Sequence, residues 1–227
     1  MAKPAKSDET RARILDAAIE LFRARGFESA TMREIAAAAG VATGAAYYYF
    51  DSKDALVLAF YDRSQQQLEP QLEAALAATR DFEGRLRALI EVKLAYFAPD
   101  RGLLRALAAH TDPEHPLSPF SAQTREIRER DVKFFARVLE QSRIKLPSDL
   151  GPLLPRILWL YQMGLILFWI YDRSEGQERT RTLTARSGAM VSRLVRLSGF
   201  ALLRPARKAV VELVQAVSGP SGQAGTG

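Results

Sequence analysis

The stretch REIAAAAGVATGAAYYYFDSKDAL, residues 33–56, decides how this chain is read. Between Glu34 and Phe50 no residue carries a charge, small residues dominate, and Tyr47, Tyr48 and Tyr49 follow one another. Thr31 stands three residues before Glu34, the spacing of a capping box in which side chains satisfy the free amides of a first helical turn. That predicts a helix beginning at Thr31 and ended by Gly40, a residue at ease in the left-handed conformation. "GVAT" then leads to a second short helix, "GAAYYYF", and Ser52 is placed to cap a longer one. Two short helices joined by a glycine-containing turn have the form of a helix-turn-helix, although on spacing alone a generic helical pair fits as well.

The tyrosines shift that balance. Successive helical residues turn by about 100 degrees, so three adjacent rings cannot share one face. Some of their hydroxyls must reach solvent or a partner, while Phe50 supplies the apolar anchor. A tyrosine hydroxyl is a phosphate donor that holds register on a nucleic-acid backbone. The amides near Thr43 to Ala45, at the start of the helix, can face a phosphate without any side-chain charge. No acidic group stands in the way.

Working outward, DETRARILDAAIELFRARGF reads as an amphipathic helix with Ile14, Ala18, Leu21 and Phe22 on one face and Gly26 at its end. Behind Ser52 a long helix is expected, kinked or interrupted at Pro70. Further helices are expected over 81–98, 103–109, 121–146, 156–171, 178–197 and the segment PARKAVVELVQAV. Pro113, Pro116 and Pro119 make the segment after residue 109 a loop. No strand alternation and no glycine-rich loop after a strand is found, so the fold class is all-α. The expected organisation is a flexible basic arm over 1–8, a helix-turn-helix domain over 9–55, a ligand-binding and dimerisation domain over 56–216 and a disordered tail over 217–227.

Composition bounds the chemistry. The 227 residues include no cysteine, which removes disulfides and thiolate nucleophiles and fits a reducing compartment such as the cytoplasm. The net charge of +6 is a weak pointer to nucleic acid, because residues 1–60 are balanced and the excess lies toward the C-terminus. Helical enzymes and adaptor proteins are the alternatives. With two histidines and no convergent acid, base and nucleophile, no catalytic residue, cofactor or metal site is assigned; His110 and His115 with Asp112 and Glu114 offer metal-ligand chemistry, but a pH-sensitive loop or plain surface is the preferred reading. The apolar run at 157–171 has 15 residues and contains Gln162, short of a bilayer's span, so no membrane is expected.

Residues 10–56 resemble the N-terminal domain of the tetracycline-repressor (TetR) family of bacterial transcription regulators. The match rests on a first helix ending in "GF", a Thr-capped second helix, "AAAAGV", a turn into a helix ending in aromatic residues and Phe50, and "DSKDAL". The resemblance covers about a fifth of the chain. It implies a homodimeric repressor that binds a palindromic double-stranded operator and responds to a small effector. It further implies that Thr31 touches phosphate as well as capping, that Thr43, Gly44 and Ala45 lie near base edges, and that Tyr47 and Tyr49 bind phosphate. Tyr48 would face the groove and Lys53 would pair with the backbone. Arg33 is a further phosphate candidate. No Arg, Asn or Gln in the third helix can make a bidentate base contact, so readout would lean on Tyr48, Thr43, DNA shape and the basic arm.

For the rest of the chain, the helix over 157–171 is apolar nearly all round and needs cover on more than one side. A pairing face is expected from Leu160, Leu167 and Tyr171 with Leu183, Met190, Leu194 and Leu197, internal core being the alternative. An apolar or aromatic effector would be lined by Tyr96, Phe97, Leu104, Leu107, Phe120, Phe134, Phe135, Trp159, Met163 and Phe168, against the alternative of a filled core. Six basic residues between Arg186 and Lys208, with no acid among them, read as a solvated face, an anion patch or a lipid or DNA contact.

Overall fold

A computed structural model describes residues 6–110, 112–200 and 204–218. Among them there is no strand, and ten α-helices follow in order. The first four are α1 (Lys6–Arg25), α2 (Met32–Ala38), α3 (Thr43–Tyr49) and α4 (Lys53–Ala78). Next come α5 (Phe82–Tyr96), α6 (Arg101–Leu107) and α7 (Arg125–Gln141). The last are α8 (Leu154–Tyr171), α9 (Glu178–Leu197) and α10 (Arg204–Ser218). Short 3-10 turns precede α6 and α9.

The boundaries follow from local chemistry. Gly26 ends α1 at φ +85, its amide bonded to Phe22 O at 3.0 Å. Gly40 ends α2 at φ +64 in a Schellman arrangement: Val41 N donates to Ala36 O at 3.0 Å and Gly40 N to Ala37 O at 3.1 Å. A side chain would fit in the space at either glycine, so the backbone angle is what requires the residue. Ser52 and Asp81 cap α4 and α5 by accepting from Ala55 N at 3.1 Å and Gly84 N at 2.9 Å.

Two buried clusters organise the molecule. The first joins Ile14, Phe22, Ile35, Phe50, Leu56 and Phe60 of the front helices to Leu103 and Leu107 of α6 and to Leu117. The second gathers α4, α5, α7 and α8 around Leu72, Leu86, Phe135, Val138, Leu158 and Trp159, with Val195 of α9. α4 contributes to both and ties the front helices to the back.

Several expectations change. α4 runs through Pro70 without interruption; the proline is exposed, and the buried Leu68 and Leu72 on either side hold the helix in place. α1 already includes Lys6 to Asp8, which fall in the expected arm, while residues 1–5 and the tail from 219 lie outside the described residues. α7 begins at Arg125 and not Ser121, because Ser121 and Thr124 spend their hydroxyls on Pro116 O and Ser118 O, 2.9 Å and 2.7 Å away, folding the chain into turns. α8 has 18 residues, and by length and composition alone it is long enough to cross a membrane. One face of it is buried against the other helices through Leu158, Trp159, Gln162, Leu165 and Trp169.

Candidate nucleic-acid interface

The capping box at α2 forms in full. Glu34 N donates to Thr31 Oγ1 at 3.3 Å, and Thr31 N donates to the Glu34 carboxylate at 3.0 Å. Thr31 Oγ1 also donates to that carboxylate at 2.8 Å, and Arg25 reaches its other oxygen at 2.9 Å. These hydrogen bonds, the Thr31 hydroxyl foremost, hold Glu34 below the ordinary carboxylate range. Glu34 is thus turned onto its own helix and Arg25.

The alanines account for how closely α2 and α3 approach. Ala36, Ala39 and Ala46 are buried, Ala46 completely, so bulk at these positions would push the two helices apart. With Ala46 and the following Phe50 inward, Thr43, Gly44, Tyr47 and Tyr48 face outward. Tyr48 is 83% exposed, well beyond its neighbour Tyr47. Tyr49 is half-buried against the front core and meets Tyr48 edge to face at 5.3 Å. Ala45 is half-buried, and Thr31 and Arg33, at the start of α2, are exposed. The Arg11 guanidinium lies 4.9 Å from the Phe50 ring centroid, bringing a cation of α1 to the end of α3.

Lys53 is placed otherwise than expected of a free phosphate ligand. Its ammonium donates to Phe27 O at 2.8 Å and Glu28 O at 3.2 Å and sits 4.6 Å from the Phe27 ring centroid. It stitches the loop between α1 and α2 to the start of α4.

Sequence models now place the chain. The model described as bacterial regulatory proteins, tetR family, matches residues 14–60, and that of the tetracyclin repressor-like C-terminal domain matches residues 85–215. The chain belongs to the TetR family. SrpR, an HTH-type transcriptional regulator of Pseudomonas putida, is 38% identical over 87 residues, 38% of this chain and 41% of SrpR. The chain thus matches about two-fifths of that relative's length. An HTH-type regulator of Mycobacterium tuberculosis is 31% identical over 167 residues, 74% of this chain and 78% of its own. In structure, the TetR regulator from Nitrosomonas europaea superposes with a TM-score of 0.61 at 24% identity, covering 81% of this chain and 98% of that one, a likeness of fold. Both of these relatives are described as transcriptional regulators.

As in a TetR-type regulator, a C-terminal domain stands behind the head. On it, Leu160, Leu167 and Tyr171 of α8 are exposed, as are Met190, Leu194 and Leu197 of α9. Phe168, expected to line a pocket, is exposed on α8 between Leu167 and Tyr171 and joins that outer surface instead. Leu183, expected on the pairing face, is partly buried against the back core.

Most of the remaining pocket candidates lie in or against the back core. Leu107 is buried in the front core, and Phe97 packs against both cores. Tyr96, Phe134, Phe135, Trp159 and Met163 belong to the back core, Phe120 is exposed edge-on to Trp159, and Leu104 is half-buried. Phe134 alone of these lines the groove of about 580 Å³ between α4 and α7, with Gln65, Glu69, Lys133 and Arg137. No group of three metal-ligating side chains exists among the described residues; His110 and His115 stack face to face at 4.0 Å instead. Of the basic run, Arg207 is engaged by Asp149 at 2.9 Å and Ser198 O at 2.7 Å.

Polar side chains that composition did not point to organise the interior. Lys93 and Asp131, both buried, pair at 2.7 Å, and Gln65 of α4 donates to the same carboxylate oxygen at 2.7 Å. This joins α5 and α7 to the helix that carries the head. Their only sequence signal is a charged residue at a position where the periodicity asks for an apolar one.

Proposed function

We propose that this TetR-family chain acts in the bacterial cytoplasm as a homodimeric transcriptional repressor, with α3 of each subunit entering the major groove of a palindromic operator. The observation that carries this reading is the outward face of α3: Thr43, Gly44, Tyr47 and Tyr48 exposed over a fully buried Ala46. A helix pinned by its inner face and free of charge on its outer one suits groove entry, with tyrosine hydroxyls donating to phosphate and Thr43 and Tyr48 close to base edges. Thr31, Arg33 and Tyr49 flank it as backbone contacts, and Gly44 and Ala45 keep the approach close. Lys53 supports the head from behind and leaves the phosphates to Arg33 and the tyrosines.

Two heads about 34 Å apart would follow from pairing through the exposed residues of α8 and α9, a four-helix arrangement suited to their apolar outer faces. A small apolar or aromatic effector bound in the back domain would displace α4, which reaches from head to core, and so change the spacing of the heads.

Duplex binding measured against salt tests the reading at named residues. Tyrosine donors are neutral, so Tyr47→Phe weakens binding without altering the salt slope, whereas Arg33→Ala lowers the slope by about one per subunit. A slope unchanged in Arg33→Ala and full affinity in Tyr47→Phe together contradict the proposed surface.

A further inference from the structure

Asp100 occupies the N-cap position of α6, where an aspartate ordinarily accepts a bond from the first turn of its own helix, yet it makes no cap bond. Its buried carboxylate takes the fork of Arg23 from α1, Nε to Oδ1 at 2.7 Å and Nη2 to Oδ2 at 3.1 Å. The next residue sets aside a second local preference. Arg101 places a cation on the first turn of α6, where the helix dipole disfavours it. Its guanidinium instead closes the far end of α8, Nε donating to Trp169 O at 3.0 Å and Nη2 to Asp172 O. There the dipole of α8 favours a cation.

The chain of contacts continues into α9. Trp169 Nε1 donates to Gln177 Oε1 at 2.7 Å, and the Asp172 carboxylate accepts from Thr180 N at 2.9 Å and Thr180 Oγ1 at 2.7 Å. Gln177 itself is held in the left-handed region at φ +59 at the entry to α9. A continuous run of hydrogen bonds and two adjacent backbone residues therefore leads from α1 of the head to the junction of α8 and α9. Neighbouring residues that both forgo their local option for a distant partner are where function is to be sought.

We propose that Asp100 and Arg101 are positioning residues, an elbow that sets the angle of the DNA-reading head against α8 and α9 in parallel with α4. The proposal rests on the reading that α3 binds DNA and that the outer faces of α8 and α9 pair. Through the elbow, a shift at the paired helices moves α1, and a change in the head is felt at α8.

Hydrogen exchange on the full chain tests the coupling without DNA or effector. Arg101→Lys keeps the charge but loses the fork that spans the Trp169 and Asp172 carbonyls. Exchange in α1 then speeds by about fivefold or more, and the isosteric Asp100→Asn produces the reciprocal change at the end of α8. Each variant weakens binding to a selected duplex by about five- to thirtyfold, and the double variant is no weaker than the weaker single one, as expected of links in one chain. Glu20→Gln, which removes the charge of Arg23's other partner, leaves exchange at α8 as in the parent chain. Confinement of the Arg101→Lys effect to α6, α8 and α9, or additive losses in the double variant, overturns the elbow. A chain that keeps the exchange coupling but ignores duplexes contradicts the DNA-reading proposal and leaves the elbow standing.

Discussion

At the residue scale, the positions on α3 divide sharply by what they touch. Ala46 is completely enclosed, so Ala46→Leu overpacks the head and costs about 1–3 kcal/mol in a denaturant titration. Tyr48, at 83% exposure, is the opposite case: Tyr48→Ala leaves the unfolding midpoint within the range of a surface change, about 0.5 kcal/mol, while duplex affinity falls. A core role for Tyr48 would reverse those two results. Thr31 serves the fold directly through the capping box, and Thr31→Ala costs about 1 kcal/mol in the same titration. This division was legible beforehand only in part. Three adjacent tyrosines must fan out around a helix, but which of them turns inward is settled by Ala46 and Phe50 packing against α1 and α2, contacts that spacing does not reveal. Lys53 shows the same limit, since its partners Phe27 O and Glu28 O lie more than twenty positions away.

At the element scale, helix ends governed by local chemistry were readable: the Thr31 box, Gly26, Gly40, the Ser52 cap and the full extent of α9. The start of α7 was not, because hydroxyl bonds among Ser118, Ser121 and Thr124 delay it. The end of α8 at Tyr171 falls where the periodicity puts it, and Arg101 closes it from another helix. The pocket candidates that fall outside the back core have the same cause. Periodicity tells which side of a helix is apolar but not which apolar sides meet, so Leu107 went to the front core and Phe168 to the surface. The junction of α8 and α9 carries a pH prediction. Thr180 and Ser174 hydrogen bonds hold the Asp172 carboxyl well below the usual carboxylate range. A depressed folded value means that its contribution to stability is complete above an unfolded pKa of about 4 and is lost as pH falls toward the folded one. Thermal melts from neutral to acid pH therefore show a steeper acid loss in the parent chain than in Asp172→Asn. Parallel acid limbs for the two proteins would refute this linkage.

At the scale of the whole molecule, the front and back of the chain are tied by several routes. α4 spans both cores, Arg63 of α4 pairs with Asp16 of α1 at 2.5 Å, and Arg23 binds Asp100. Such ties would carry the head with the body, which the proposed two-headed reading of a fixed half-site spacing requires. The exposed leucines of α8 and α9 belong to this scale. Leu167→Glu combined with Leu194→Glu leaves the fold intact, since both side chains are half-exposed, but yields a single-subunit species by sedimentation and flattens duplex binding. An unchanged assembly in that variant would move the pairing surface elsewhere on the back domain.

The central claim is that α3 of two paired subunits reads one duplex, and selection of bound duplexes from a random pool tests it most directly. The account predicts recovery of an inverted repeat whose half-sites are centred about one helical turn, or a whole multiple of it, apart, and loss of that enrichment in Tyr48→Ala. Recovery of no common site, or of a single unrepeated one that Tyr48→Ala enriches equally well, would contradict it.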